Sequence, residues 1–371
     1  LIHATHANLY SRGEAAMIRR PFLSSLGLCA ALAMLPACNK APDDTAADHA
    51  PATAPAGTLV TKDNFIRAET DRMFGDFLKL SGGVNRLAHI RKPTPLDQQT
   101  VVRMNRDTIY SASIIDSSQG GTVTLPPAPD GHYISVHFID NDHYDLGAIN
   151  TPGTHPIPKT DGHIAALFRI QVLDPNDAAE IARLNAWQDG LKIDAKASAP
   201  FAPGSWDKPS LDQVRAGQES SCRAFPNFEK GMMPRGMADP DQRLCAAAAG
   251  WGLLPATQAT YFSYAGGHPI TECRRATYQV PKNGAFWSIQ VYDKTGFIAS
   301  ENSTLNSRRA RLNPDGTFTA HFGSKELCGD VPNRLDVSDG WNFMMRVYKP
   351  DPATVLGGRY TLPATEAVPK G

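Results

Sequence analysis

Apolar residues recur at helical spacing early in the chain and then give way to a period of two. Between Lys62 and Leu80, the residues Phe65, Ile66, Met73, Phe74, Phe77 and Leu78 fall on one side of a helix that Gly82-Gly83 ends. Such a stripe is expected to pack on a core. Further on, Ile134, Val136 and Phe138 alternate with Tyr133, Ser135 and His137, and the run closes in Asp140. Trp287, Ile289 and Val291 alternate in the same way with Phe286, Ser288 and Gln290, closing in Asp293. A second pair follows in the same order: Phe168-Arg169-Ile170-Gln171 resembles Phe343-Met344-Met345-Arg346. One β-unit is therefore expected to be used twice.

Between the copies the pattern is helical and irregular. Asp174-Pro175 reads as an N-cap with proline at the first helical position, opening a helix to about Gly190 that buries Ile181, Leu184 and Trp187. A Pro/Gly/Ser-rich loop from Ala199 to Pro209 follows, then a helix around Asp239 to Leu254. Asn313-Pro314-Asp315-Gly316 before Thr317-Phe318-Thr319 predicts a hairpin turn. The fold class is mainly β: two sandwich-like halves, an N-terminal helix and an inserted helical segment. The expected divisions are 58–175 for the first β-domain, 176–272 for the connecting segment and 273–371 for the second.

The stretch before the first helix changes the picture. Met17 is the first convincing start, so residues 1–16 read as upstream sequence. Arg19-Arg20, an apolar run from Phe22 to Met34 and then Leu35-Pro36-Ala37-Cys38 have the parts of a secretory signal over 17–37. Cys38 resembles the lipid-bearing cysteine of bacterial lipoproteins. Arg19-Arg20-Pro21-Phe22-Leu23 also resembles the twin-arginine export pattern, though Ile18 departs from it. Residues 38–57, rich in Ala, Pro, Asp and Thr, then form a tether. The expected address is the cell envelope, lipid-anchored at the outer membrane and facing the periplasm.

Cysteine usage agrees with an oxidising compartment. Beyond Cys29 and Cys38, the mature part holds Cys222, Cys245, Cys273 and Cys328, which allow three pairings. Cys222–Cys245 with Cys273–Cys328 closes the shorter loops and is the pairing expected. No Cys/His finger spacing is present. Lys plus Arg equals Asp plus Glu at 37 each, so no net field draws in nucleic acid. The expected partners are the membrane, through the lipid, and a small-molecule or envelope ligand, and a homo-oligomer is compatible with the composition.

Asn105-Arg106-Asp107-Thr108-Ile109-Tyr110-Ser111, Asp130-Gly131-His132-Tyr133 and Gly147 to Thr154 in the first half are similar to a known family. So are Phe286 through Phe297 and Leu305-Asn306-Ser307-Arg308 in the second. Together they resemble bacterial proteins that pair domain-of-unknown-function family 1254 with family 1214. That resemblance implies two jelly-roll-like β-sandwich domains and no established reaction. The chain departs from longer members around Asn333 to Gly340, where they carry a Trp-Leu-Pro-Ala-Pro-type stretch.

Familiar catalytic signatures are absent, including Gly-x-Ser-x-Gly, His-Glu-x-x-His and the glycine-rich nucleotide loops. The strongest constellation is His137, Asp140, Asp142 and His143, with His132 and His155 nearby. Imidazole and carboxylate together can form an acid–base pair or hold a divalent metal; a polar turn beyond an edge strand accounts for the same residues without chemistry. Asn105, Arg106, Asp107 and Tyr110 offer an anion clamp with hydrogen-bonding groups, or else a capped turn. Asn306, Arg308, Arg309 and Arg311 suit either an acidic ligand or a solvated basic loop. No cofactor is expected beyond that metal alternative. A binding or structural module is the first expectation, and a periplasmic hydrolase using the His/Asp/Tyr residues is the second.

Overall fold

The computed structural model describes residues 57–99, 102–222 and 229–369, so the leader, Cys38 and the tether up to Ala56 lie outside the described residues. Residues from Gly57 onward form one compact unit. Helix α1 (Phe65–Ser81) buries Phe65, Ala68, Met73, Phe74 and Phe77, as the apolar stripe predicts. Gly82 closes it at φ 77°, its N–H bonded to Leu78 O in a left-handed cap that costs glycine nothing.

The first half then runs through β1 (Ala88–Ile90), β2 (Thr108–Asp116), β3 (Gly121–Leu125), β4 (Ile134–Asp140), β5 (Asp145–Ile149), β6 (Gly153–Pro156) and β7 (His163–Gln171). Helix α2 (Ala178–Asp189) and β8 (Lys192–Ala195) complete it. The sheet β1-β2-β7-β4-β5 packs over β6-β3-β8 in jelly-roll order. Ile109, Val136, Phe138, Ile164 and Phe168 meet Val123 and Leu125 in that core, with Leu184 and Trp187 of α2. The α2 cap is Asp177 rather than Asp174. The Glu180 carboxylate accepts the N–H groups of Leu173 and Asp174 at 2.6 and 2.8 Å, which holds the chain extended where a helix was expected to begin.

Two further helices, α3 (Lys208–Ser221) and α4 (Pro240–Gly250), stack with α1 through Phe65, Ala68, Leu211, Ala247 and Ala248. Among the described residues no helix is long and apolar enough to cross a membrane. The second half comprises β9 (Ala259–Tyr264), β10 (Arg274–Tyr278), β11 (Trp287–Tyr292), β12 (Thr304–Asn306), β13 (Phe318–Phe322), the short α5 (Lys325–Cys328), β14 (Arg334–Leu335), β15 (Asn342–Tyr348) and β16 (Glu366–Ala367). Its sheets are β12-β11-β15-β9 and β14-β13-β10-β16, closed over Trp287, Ile289, Phe318, Phe322, Phe343 and Val347. The segment 176–272 is thus shared out: α2 and β8 join the first sandwich and β9 joins the second. Asn313 to Gly316 does make a tight turn, but β13 pairs with β10 and β14, so the turn closes no two-strand hairpin. Disulfides Cys222–Cys245 and Cys273–Cys328 are the expected pairing.

The two halves repeat one another strand for strand. The order β2-β7-β4-β5 is matched by β9-β15-β11-β12, and β6-β3-β8 by β13-β10-β16. Ladder register fixes the equivalence by residue. Tyr110 pairs with Arg169 and Arg169 with Ser135; in the second half Tyr261 pairs with Arg346 and Arg346 with Ser288. Val172 N–H bonds Asp107 O where Lys349 N–H bonds Gln258 O. Arg169 therefore corresponds to Arg346, two residues away from the alignment that the apolar pattern suggested. That slip leaves every side chain on its own face, because strand periodicity is two. The repeated large sheets turn equivalent faces toward each other, and Tyr133 and Phe286, which occupy corresponding positions, touch with ring centroids 5.8 Å apart.

Candidate functional site

The central strands of the large sheets, β2, β7 and β4 in one and β11 and β15 in the other, are buried on both faces, so they lack the usual solvent-facing polar side. Polar side chains nevertheless persist on the faces that meet, giving two copies of a Tyr–Arg–Ser row: Tyr110, Arg169, Ser135 and Tyr261, Arg346, Ser288. Arg169 and Arg346 are only 3% and 2% exposed. A guanidinium cannot shed its charge at any ordinary pH, so burial demands partners.

Those partners are incomplete. Arg169 donates from Nη2 to Gly252 O at 2.5 Å and lies over the Tyr110 ring, 5.4 Å from its centroid. Arg346 donates from Nη2 to Arg103 O at 3.0 Å and to the Tyr292 hydroxyl at 2.9 Å. The Nη1 of both arginines has no hydrogen-bond partner, nor does Nε2 of the buried Gln171 on the same face of β7. The hydroxyls of Ser135 and Tyr133 on β4 are also without a partner, so the layer holds three unpaired donors and two hydroxyls able to donate or accept. Asp107 is the carboxylate of this layer: it accepts from the Ser288 hydroxyl and, at 3.3 Å, from the Tyr348 hydroxyl. Gln258 stands at the corresponding position of the second half, so the layer combines two guanidiniums with one carboxylate. Burial opposes the charge on Arg346, but Tyr292, Asp107 and Tyr348 outweigh it and raise its proton affinity. Burial also pushes the Tyr261 phenol up to about 12, against the pull of Arg169 and Arg346, so this tyrosine stays neutral within the field of both cations. Tyr261 and the turn after α4 line an apolar pocket with Leu253, Leu254, Ala256, Ala259 and Thr260, and Glu229 also borders it.

The sequence candidates divide around this layer. Asp107 and Tyr110 lie in it, and Asn105 supports it by donating from Nδ2 to the Tyr110 hydroxyl at 2.9 Å. Arg106 does not reach it: its guanidinium pairs with Glu301 and, at 3.4 Å, with Asn176. His137 is fully buried; its Nε2 lies 3.0 Å from Asp145 Oδ1, and burial lowers its proton affinity. Asp140 accepts the N–H groups of Asp142 and Tyr144 with one oxygen. Asp293 holds Thr295 and Phe297 in the same way, so this is a repeated turn device. Asp142 is held by Arg67 and Arg235 at 2.8 Å each. His143 Nε2 accepts the Gly252 N–H at 3.1 Å, and burial lowers its pKa to about 3. His132 bridges Pro129 O and Glu180, while His155 is bonded to Thr151 O. Among the described residues no group of three or more His, Cys, Asp or Glu side chains is placed to hold a metal ion. Arg308 donates to Gly131 O at 2.9 Å, Asn306 to Leu173 O at 2.7 Å, and Arg309 pairs with Asp174 at 3.5 Å. These residues tie one half to the other. The sequence reading missed Arg169, Arg346, Tyr261 and Gln171; sliding the second strand comparison by two residues would have set arginine over arginine.

Comparison with known proteins agrees with the paired organisation. Residues 84–156 match the family described as protein of unknown function (DUF1254), and residues 268–352 match protein of unknown function (DUF1214), in the order that the motifs implied. No curated protein matches the chain. Among solved structures, the VPA0106 protein from Vibrio parahaemolyticus is similar, with a TM-score of 0.62 and 15% identity over 83% of this chain and 100% of that one. An uncharacterized protein from Burkholderia cenocepacia is similar with a TM-score of 0.50 and 15% identity, covering 83% of this chain and 87% of the other. At these identities the likeness is one of fold.

Proposed function

We propose that this protein is a binding module of the cell envelope, tethered by lipid on Cys38, that holds a small anionic ligand between its two β-sandwiches. The observation that carries the reading is the repeated Tyr–Arg–Ser row, in which both equivalent arginines keep an unpaired buried Nη1. Buried polar groups in native proteins are satisfied in the great majority, and a consistent set of orphaned donors marks the place of an acceptor. A guanidinium fork suits a carboxylate or similar oxyanion. The two disulfides agree with an oxidising compartment. A hydrolase has less support: Ser288 contacts Asp107 without an imidazole, and the rings of His132, His137 and His143 are each engaged elsewhere.

The test is a thermal-shift screen of the purified full chain against small anions, cations and neutral sugars. A ligand at about 100 times its Kd should stabilise the protein by about 2.7 kcal/mol. Anions should do so, and Arg169→Met and Arg346→Met should each remove most of the effect. Stabilisation by neutral sugars alone, insensitive to both substitutions, would sink the reading. The anchor is tested separately: Cys38→Ser should release the protein from membranes and abolish incorporation of labelled palmitate.

A further inference from the structure

From a mismatch between the two copies of the buried row, we infer that a compact carboxylate, formate in its simplest form, binds at the position symmetric to the Asp107 side chain, on Ser135, Gln171 and Arg169. This rests on the anion-binding reading above and places its ligand. The register that aligns Arg169 with Arg346 also aligns Ser135 with Ser288, Gln171 with Tyr348 and Asp107 with Gln258. Asp107 crosses from the first half to the second, where one carboxylate oxygen accepts from Ser288 and the other from Tyr348. The reverse crossing is not made. Gln258 turns aside to Asn150, whose Nδ2 donates to its Oε1 at 3.0 Å. Ser135 Oγ and Gln171 Nε2, the counterparts of the two groups that Asp107 satisfies, stay buried and unpaired.

The occupied copy shows which chemistry suits the other. Gln171 Oε1 accepts the Tyr133 N–H at 3.2 Å, which fixes the amide so that its donor end is the unmet one. Arg169, opposite Ser135 in the ladder, adds a third donor at Nη1, since its Nη2 is committed to Gly252 O. A carboxylate accepts from all three. Gln171 is smaller than the Tyr348 it corresponds to, which leaves room for a head group of that size. The gap beside Tyr261 admits about one water molecule and is bordered by the Glu229 carboxylate, so the ligand carries no tail. Arg103, over the Tyr292 ring, and Glu229 also border the layer, so unmet donors and not net charge fix the position.

The experiment is calorimetric titration of the full chain with formate, succinate and inorganic phosphate, beside Gln258→Asp, which supplies the carboxylate from the chain itself. Formate should bind the parent one to one and more tightly than succinate or phosphate. Gln258→Asp should weaken formate about tenfold or more and, with no formate added, melt above the parent. Ser135→Ala removes one donor from this position and none from the Arg346 end. It should also weaken formate about tenfold, and it decides the matter if Gln258→Asp does not fold. Formate binding that needs Arg169 but is unchanged in both variants would overturn this placement and leave the anion reading standing. Tighter binding of succinate or phosphate, still dependent on Arg169, would overturn the compact carboxylate alone. If no probe binds in an arginine-dependent way, this inference and the reading beneath it fail together.

Discussion

At the scale of single residues, burial decides which ionisable groups remain free to do chemistry. His143 was a candidate acid–base residue, yet its pKa near 3 against an ordinary 6.5 keeps it neutral and makes it a stability element. The unfolded chain takes up the proton first as pH falls, so this stabilisation is complete above 6.5 and is lost progressively toward 3. Each pH unit below 6.5 costs about 1.4 kcal/mol for such a group. Between pH 6.5 and pH 5 the urea midpoint should fall by the equivalent of roughly 2 kcal/mol. His143→Asn, which keeps a side-chain acceptor and tolerates the left-handed backbone at φ 62°, should flatten that decline. Arg169 carries the opposite expectation. Without ligand its Nη1 is unsatisfied, so Arg169→Met should leave the melting temperature unchanged or raise it. A large destabilisation in the ligand-free protein would mean that the arginine is structural. Asp107 and Tyr110 were legible in sequence because they sit in a dense polar motif. Arg169 and Arg346 each sit singly inside apolar strands, where nothing nearby marks them.

At the scale of elements, strands with clean alternation were legible and the interior of the connecting segment was not. The alternation over 133–140 and 286–293 placed β4 and β11 correctly because one face of each serves a sandwich core. Helix α3 escaped notice: it starts within the Pro-rich stretch, with Asp207 as cap and proline in its first turn, and buries few large residues. It is held by Leu211 packed against α1 and α4, by Arg215 paired with Glu69 of α1, and by Cys222, bonded to Cys245 of α4 across a sequence separation of 23. Replacing both cysteines by alanine should cost about 3 kcal/mol by loop entropy. The Cys273–Cys328 pair, with a separation of 55, should cost about 4 kcal/mol on the same basis. Urea melts of the two double variants should rank in that order, the second pair costing more.

At the scale of the whole molecule, the halves are coupled through the buried layer and through a rim of ties. Asp107 reaches Ser288 and Tyr348, Tyr292 donates to Met104 O at 2.8 Å, and Asn306 donates to Leu173 O. Asp107→Ala would orphan two hydroxyls and leave Arg346 without its carboxylate. It should destabilise by about 3 kcal/mol and shift both halves together in one cooperative transition. Two separated transitions would show that the sandwiches fold independently. The duplication was visible in the apolar pattern, whereas the meeting of equivalent faces was not, because a strand pattern names two buried faces without naming what covers each. Contact between a residue and its own counterpart, as between Tyr133 and Phe286, belongs to an isologous dyad of the kind that joins identical subunits. Carried within one chain, such a dyad no longer depends on protein concentration, and its two copies can diverge separately. Asp107 opposite Gln258 is that divergence. It gives a symmetric buried layer a polarity, so its two ends are no longer interchangeable.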